Sequence, residues 1–155
     1  MVVKEVGWGI SAQAARQLES AGVAAIDVAG AGGTSWSEVE KYRTSNEHAR
    51  RVAESFINWG IPTADSIQEV VRAASRVLVF ASGGLRNGVD IAKCIALGAT
   101  LGGMAGLFLK SAANEDIEET IKTIQEIESE IKICMFAVGA ANMNQLKNVP
   151  LVKID

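Results

Sequence analysis

The sequence predicts an α/β fold of about four consecutive βα units, which is half of an eight-unit (β/α)8 barrel. Three observations carry this. Short apolar runs alternate with helical stretches, the pattern of parallel strands joined by helical crossovers. Two glycine turns, Ser82-Gly83-Gly84 and Gly103-Met104-Ala105-Gly106, each close an apolar run and lie one βα unit apart. Finally, Gly7, Gly22, Ala29 and Gly30 correspond to Gly83, Gly98, Ala105 and Gly106, each 76 positions later. A fixed internal period is the mark of repeated modules, as in a barrel or a doubly wound sheet.

The first strand is expected over residues 2–6, where Val2-Val3-Lys4-Glu5-Val6 follows Met1 directly. Gly7-Trp8-Gly9 turns the chain into a helix over 11–21. Ser11 is a good N-cap, Ala15 and Leu18 supply the inward face, and Gly22 ends the helix at C′. The second strand covers 25–29 and runs into Gly30-Ala31-Gly32-Gly33-Thr34-Ser35-Trp36. A longer connection holds a helix over 44–58, broken by Trp59-Gly60-Ile61-Pro62. Thr63 or Asp65 caps the next helix, which reaches about Ala74. The third strand spans 77–82 and its helix about 88–97. The fourth strand spans 100–104. In the tail, Ile117, Ile121, Ile124, Ile127, Ile131 and Met135 recur at helical spacing, and core packing is the expected use of that stripe.

Four parallel strands alone leave two open edges, here 2–6 and 100–104, and one uncovered face carrying Val, Ile and Ala. Residues 1–155 are therefore read as a single half-barrel domain whose other half is absent.

Composition narrows the function. Fifteen basic against 18 acidic residues give a net charge of −3, and no basic stripe suggests nucleic acid. Cys94 and Cys134 have neither metal-ligand spacing nor a disulfide framework, which fits a reducing cytoplasm. No signal peptide or membrane span is expected, because the apolar runs are too short.

Several residues carry chemistry. Lys4 is a charge inside an apolar strand, near the strand end where barrel sites lie; the alternative is an edge lysine that blocks aggregation. The Gly30–Ser35 loop, with three glycines and two hydroxyls, can present donors to a phosphate or a polar cofactor edge. Gly83 and Gly84 allow close backbone approach, and a helix N-terminus beyond them favours an anion. Arg86 either pairs with a phosphate or sits in solvent. His48 lies in a polar helix and reads as a surface residue. Asp27 and Asp90 are the notable acids, Asp90 in a helix first turn.

These segments resemble the C-terminal half of the type 2 isopentenyl-diphosphate isomerases, which are FMN-dependent TIM barrels. The matching stretches are Val3–Ser11, Gly30–Trp36, Trp59–Thr63, Ser82–Gly88 with Asp90–Ala99, and Gly103–Ala105. The resemblance implies flavin contacts from Lys4, Thr34, Gly84, Leu85, Arg86, Ala105 and Gly106. Alanine at position 29 departs from the hydroxyl or glycine often found there. The implied reaction interconverts isopentenyl and dimethylallyl diphosphate, with FMN, Mg²⁺ and NAD(P)H as cofactors. The family's basic substrate cluster and Gln-Glu pair, which includes the Mg²⁺ ligand, belong to the N-terminal half. This chain alone is therefore expected to be inactive. Its expected partners are the diphosphate substrate and either a second copy or an N-terminal half-barrel. The competing readings are another FMN-dependent barrel oxidoreductase and a non-catalytic half-barrel that serves as a folding or assembly module.

Overall fold

The structure, a computed structural model, describes residues 1–152. Its frame is one parallel four-stranded sheet in the order of the sequence. The strands are β1 (Val2–Lys4), β2 (Ala25–Asp27), β3 (Leu78–Ala81) and β4 (Leu101–Gly102). Val3 pairs with Ile26, Ile26 with Val79, and Phe80 with Leu101. β1 and β4 are the outer strands, as expected.

Each strand is shorter than its apolar run. Just past β1, the Glu5 carboxylate accepts hydrogen bonds from the Gly7 and Trp8 amides, which pulls the chain out of the ladder. Past β2, Ala29 takes φ +35°, the left-handed region, and ends extended structure there.

Side chains alternate across a strand, so the sheet has two unlike faces. Ile26, Val28, Val79 and Ala81 point to one face and form the core with Ala15, Ile67, Val70 and Cys94. The helices covering this face are α1 (Ala12–Ser20), α4 (Thr63–Ala73) and α5 (Gly88–Ala96). The opposite face holds Val2, Leu78, Phe80 and Leu101, and it is open: Val2 is 57% exposed and Leu78 51%. This corrects the expected makeup of the open face. Ile26, Val28 and Val79 pack under the helices, and leucine and phenylalanine take their place outside.

Between α1 and α4 the helix expected over 44–58 is present but shorter, and a further helix that the sequence pattern did not mark precedes it. α2 (Trp36–Arg43) starts at an N-cap Ser35, and α3 (Glu47–Glu54) at an N-cap Asn46. The local caps decide this, because each supplies an acceptor for amides that a continuous helix would not leave free. The expected cap of α4 is also corrected. Pro62 holds the N-cap position with no side-chain bond, and the Thr63 hydroxyl bonds outside the helix. Asp65 lies in the first turn, where the helix dipole favours a carboxylate.

After β4 come α6 (Gly106–Ala113), which the sequence pattern did not mark, then α7 (Ile117–Ala137) and α8 (Met143–Leu146). Ile127, Ile131 and Met135 pack against Ile91, Ala92 and Ile95 of α5 and Leu146 of α8. Ile117, Ile121 and Ile124 do not, and Ile117 is 73% exposed. Only the C-terminal half of the isoleucine stripe packs on the core, half-buried, because α5 and α8 reach only that half of α7.

The internal repeat is structural. Ser11 and Asn87, 76 residues apart, are both N-caps, and α1 and α5 have equal length. Gly22 and Gly98 follow the two helices with φ of +82° and +107°. Among the described residues, no helix is long and apolar enough to cross a membrane.

Candidate functional site

The residues singled out in the sequence gather where the strands end. Lys4 closes β1 on the open face. Its Nζ donates to Ser82 Oγ at 2.8 Å and lies 3.0 Å from Asp27 Oδ2. Ser82 Oγ donates to Asp27 Oδ1 at 2.6 Å. Three strand ends are thus joined in a closed ring of bonds, with Lys4 at its exposed corner. The parallel register produces this, since Lys4 and Asp27 are direct partners.

The loops after β2 and β3 interlock through glycine. A Cβ on Gly83 would lie 2.2 Å from the Gly30 carbonyl oxygen, and one on Gly84 2.3 Å from that of Gly32. Only glycine permits such backbone-to-backbone contact, and φ is positive at Gly83 and Gly84. The Gly30 amide donates to the Ser82 carbonyl at 3.0 Å. Thr63 Oγ1 donates to the Gly83 carbonyl at 2.6 Å, so α4 braces the same loop.

The two halves of the repeat differ in one instructive way. Gly7 and Trp8 correspond to Gly83 and Gly84, and Glu5 to Ala81. In the first half the Glu5 carboxylate receives the amide pair. In the second, alanine has no acceptor to offer. Among the described residues, the amides of Gly83, Gly84 and Leu85 make no hydrogen bond. Adjacent amides of this kind form an anion nest. In the first half a carboxylate receives the amide pair, whereas among the described residues no acceptor receives its counterpart.

The other expected contacts fall as follows. Thr34 is exposed in the loop after β2, and its carbonyl packs on Gly7. Leu85 is half-buried against both core clusters, so its side chain anchors the loop. The Arg86 side chain is 86% exposed and reaches toward Asp90, 3.9 Å away. The Arg86 amide also donates to Asp90, at 3.1 Å. Ala105 and Gly106 start α6 with no side-chain cap. They follow β4, whose continuation is bonded to β3 by the Gly103 amide on the Ala81 carbonyl at 2.7 Å. His48 is exposed on α3, as expected.

A cleft of about 480 Å³ between α6 and α7 borders Arg86. Its wall carries Asp116, Glu119, Glu126 and Glu130 against only Arg86 and Lys110, the wrong balance for a phosphate. Among the described residues, no group of three acidic, histidine or cysteine side chains is placed to hold a metal.

Asp27, Ser82 and Thr63 are the members of the site that sequence reading did not assign. The signal for Asp27 was present: it is the third residue of its strand, as Lys4 is of its own, and parallel pairing aligns such positions. Ser82 and Thr63 carry no comparable signal, because their partners lie in other units.

Over 97% of its length the chain is 51% identical to an isopentenyl-diphosphate delta-isomerase of Synechocystis sp., covering 43% of that protein. It is 49% identical to one of Pyrococcus furiosus, over 98% of this chain and 38% of that protein. The chain thus spans less than half the length of the curated relatives it matches. Mandelate oxidase superposes with a TM-score of 0.69 at 20% identity, over 95% of this chain and 36% of that one. A GMP reductase from Trypanosoma brucei gives 0.64 at 24% identity, over 90% of this chain and 30% of that one. These two show a shared fold. The family model described as FMN-dependent dehydrogenase matches residues 1–153, and the chain belongs to that family.

Proposed function

We propose that this chain is the flavin-phosphate half of an isomerase that interconverts isopentenyl and dimethylallyl diphosphate. The observation that carries the reading is the open amide nest at Gly83-Gly84-Leu85, whose counterpart in the first half is filled by Glu5. An FMN phosphate matches it in charge and acceptor count. Gly84, Leu85 and the N-terminus of α6 at Ala105 and Gly106 supply backbone donors. Arg86, exposed and joined to Asp90 by a long contact only, turns to the phosphate. Lys4 and Thr34 face the flavin from the strand ends. When bound, reduced FMN supplies acid–base chemistry at the substrate double bond.

The chain's own residues bind and orient. Lys4 presents an ammonium toward the open face, and the interlocked glycine loops hold the nest rigid, so little reorganisation accompanies binding. Among the described residues no donor set fits a resident Mg²⁺. The open face and edges call for a partner, either a second copy or a complementary half-barrel. The buried free thiol of Cys94 suits a reducing cytoplasm.

Titration of the purified chain with FMN, read by quenching of flavin fluorescence, tests the reading. Saturable binding that weakens in R86A and is competed by inorganic phosphate supports it. No binding, with or without a complementary half, leaves the assembly-module reading in its place. Isomerase turnover is expected only when the rest of the barrel is supplied.

A further inference from the structure

We propose that Asp27 is a positioning residue for Lys4, with Ser82 as the bridge, and that together they set the direction and net charge of the ammonium offered to a flavin. This rests on the FMN reading above.

An ammonium has three donors and a flexible stem. On an exposed strand end it would normally sample many directions. Here two donors are committed, one to Asp27 Oδ2 at 3.0 Å and one to Ser82 Oγ at 2.8 Å. The third is left without a partner among the described residues, on a side chain that is 57% exposed. Asp27 is itself held. Its Oδ1 accepts from Ser82 Oγ at 2.6 Å and from the Ala29 amide at 3.2 Å. Its side chain is largely shielded, whereas that of Lys4 is more than half exposed. The fixed member is therefore the carboxylate, and the lysine is hung from it.

Charge makes the arrangement more than a brace. The ion pair is neutral overall, so a flavin beside Lys4 meets a directed N–H donor without a full uncompensated positive charge. An unpaired lysine would stabilise a reduced, anionic flavin more strongly. Asp27 thus limits how far the site favours the reduced cofactor. Ser82 also has a second role, since its carbonyl receives the Gly30 amide. That links the ammonium to the loops that form the phosphate nest.

The test uses Asp27→Asn and Ser82→Ala in the full chain, with folding checked by far-UV circular dichroism. First, Lys4 acylation by an amine reagent is followed by peptide mass spectrometry in cofactor-free protein, with exposed Lys122 and Lys132 as internal references. Both variants should label Lys4 severalfold faster than the wild type, because its nitrogen is released from a partner. Unchanged labelling overturns the positioning role whether or not FMN binds. Second, with FMN bound, Asp27→Asn should raise the midpoint potential, while affinity for inorganic phosphate stays unchanged. A potential that does not move overturns the electrostatic role. Absence of FMN binding in the wild type would sink the functional reading, and the labelling result would still decide the positioning of Lys4.

Discussion

Thr63 Oγ1 donates to the Gly83 carbonyl at 2.6 Å, tying the first residue of α4 to the loop after β3 across 20 positions of sequence. Thr63 is only 9% exposed, so water does not easily replace it. Thr63→Val keeps the branched shape and removes the donor, leaving a shielded carbonyl unpaired. The expected cost is about 1–3 kcal/mol in urea denaturation. Thr63→Ser should recover most of it, because the hydroxyl is retained.

Two glycines with positive φ should respond very differently to alanine. At Gly22 (φ +82°) a Cβ meets nothing within 4 Å, so Gly22→Ala carries only backbone strain. That amounts to roughly 1–2 kcal/mol. At Gly83 (φ +103°) the Cβ would strike the backbone of Gly30 at 2.2 and 2.7 Å. Neither loop can yield without breaking the interlock. Gly83→Ala should lose markedly more stability than Gly22→Ala, together with FMN affinity. Equal losses in parallel denaturation curves would contradict the close-approach argument.

Burial pushes the Cys94 thiol up to about 11 from its ordinary 9.0, with the charge of Asp90 adding to the effect and Lys93 opposing it. The folded chain therefore keeps this proton to higher pH than the unfolded chain does. The associated stability is fully present below pH 9 and is lost as pH rises toward about 11. A Cys94→Ala variant should show a shallower fall of unfolding free energy over that interval. In the wild type at pH 8, Cys134 should alkylate much faster than Cys94, since the thiolate is the reactive form.

The outer strands β1 and β4 each present an unpaired edge, and Val2, Leu78 and Leu101 lie exposed on one face of the sheet. Edges of this kind recruit further strands. Light scattering should find the chain associated at micromolar concentration unless a complementary half-barrel is added. Val2→Lys with Leu78→Lys should shift it toward monomer. A stable wild-type monomer would mean that the open face tolerates water unaided.

The fold class, the order of the four strands and the two repeated helices follow from the sequence through local physics. Apolar runs ending in glycine mark strand ends, and Ser11 and Gly22 mark a helix whose N-cap recurs 76 residues later at Asn87. The close backbone approach at Gly83 and Gly84 was also legible, because glycine at a strand end is what such an approach requires. Sequence reading failed where the outcome depended on what lies opposite. The stripe from Ile117 to Met135 is uniform in sequence, yet only the half that meets α5 and α8 is even half-buried.

Sequence by itself determined which residues stand at the strand ends: Lys4, the glycine loops and Arg86. Tertiary structure decided what those residues do there. Lys4 is paired with Asp27 because parallel register sets third residue against third residue. Glu5 fills one amide pair while Ala81 leaves its counterpart open. Periodicity records which face a side chain takes, whereas charge pairing and hydrogen-bond satisfaction depend on distances between units far apart in the chain.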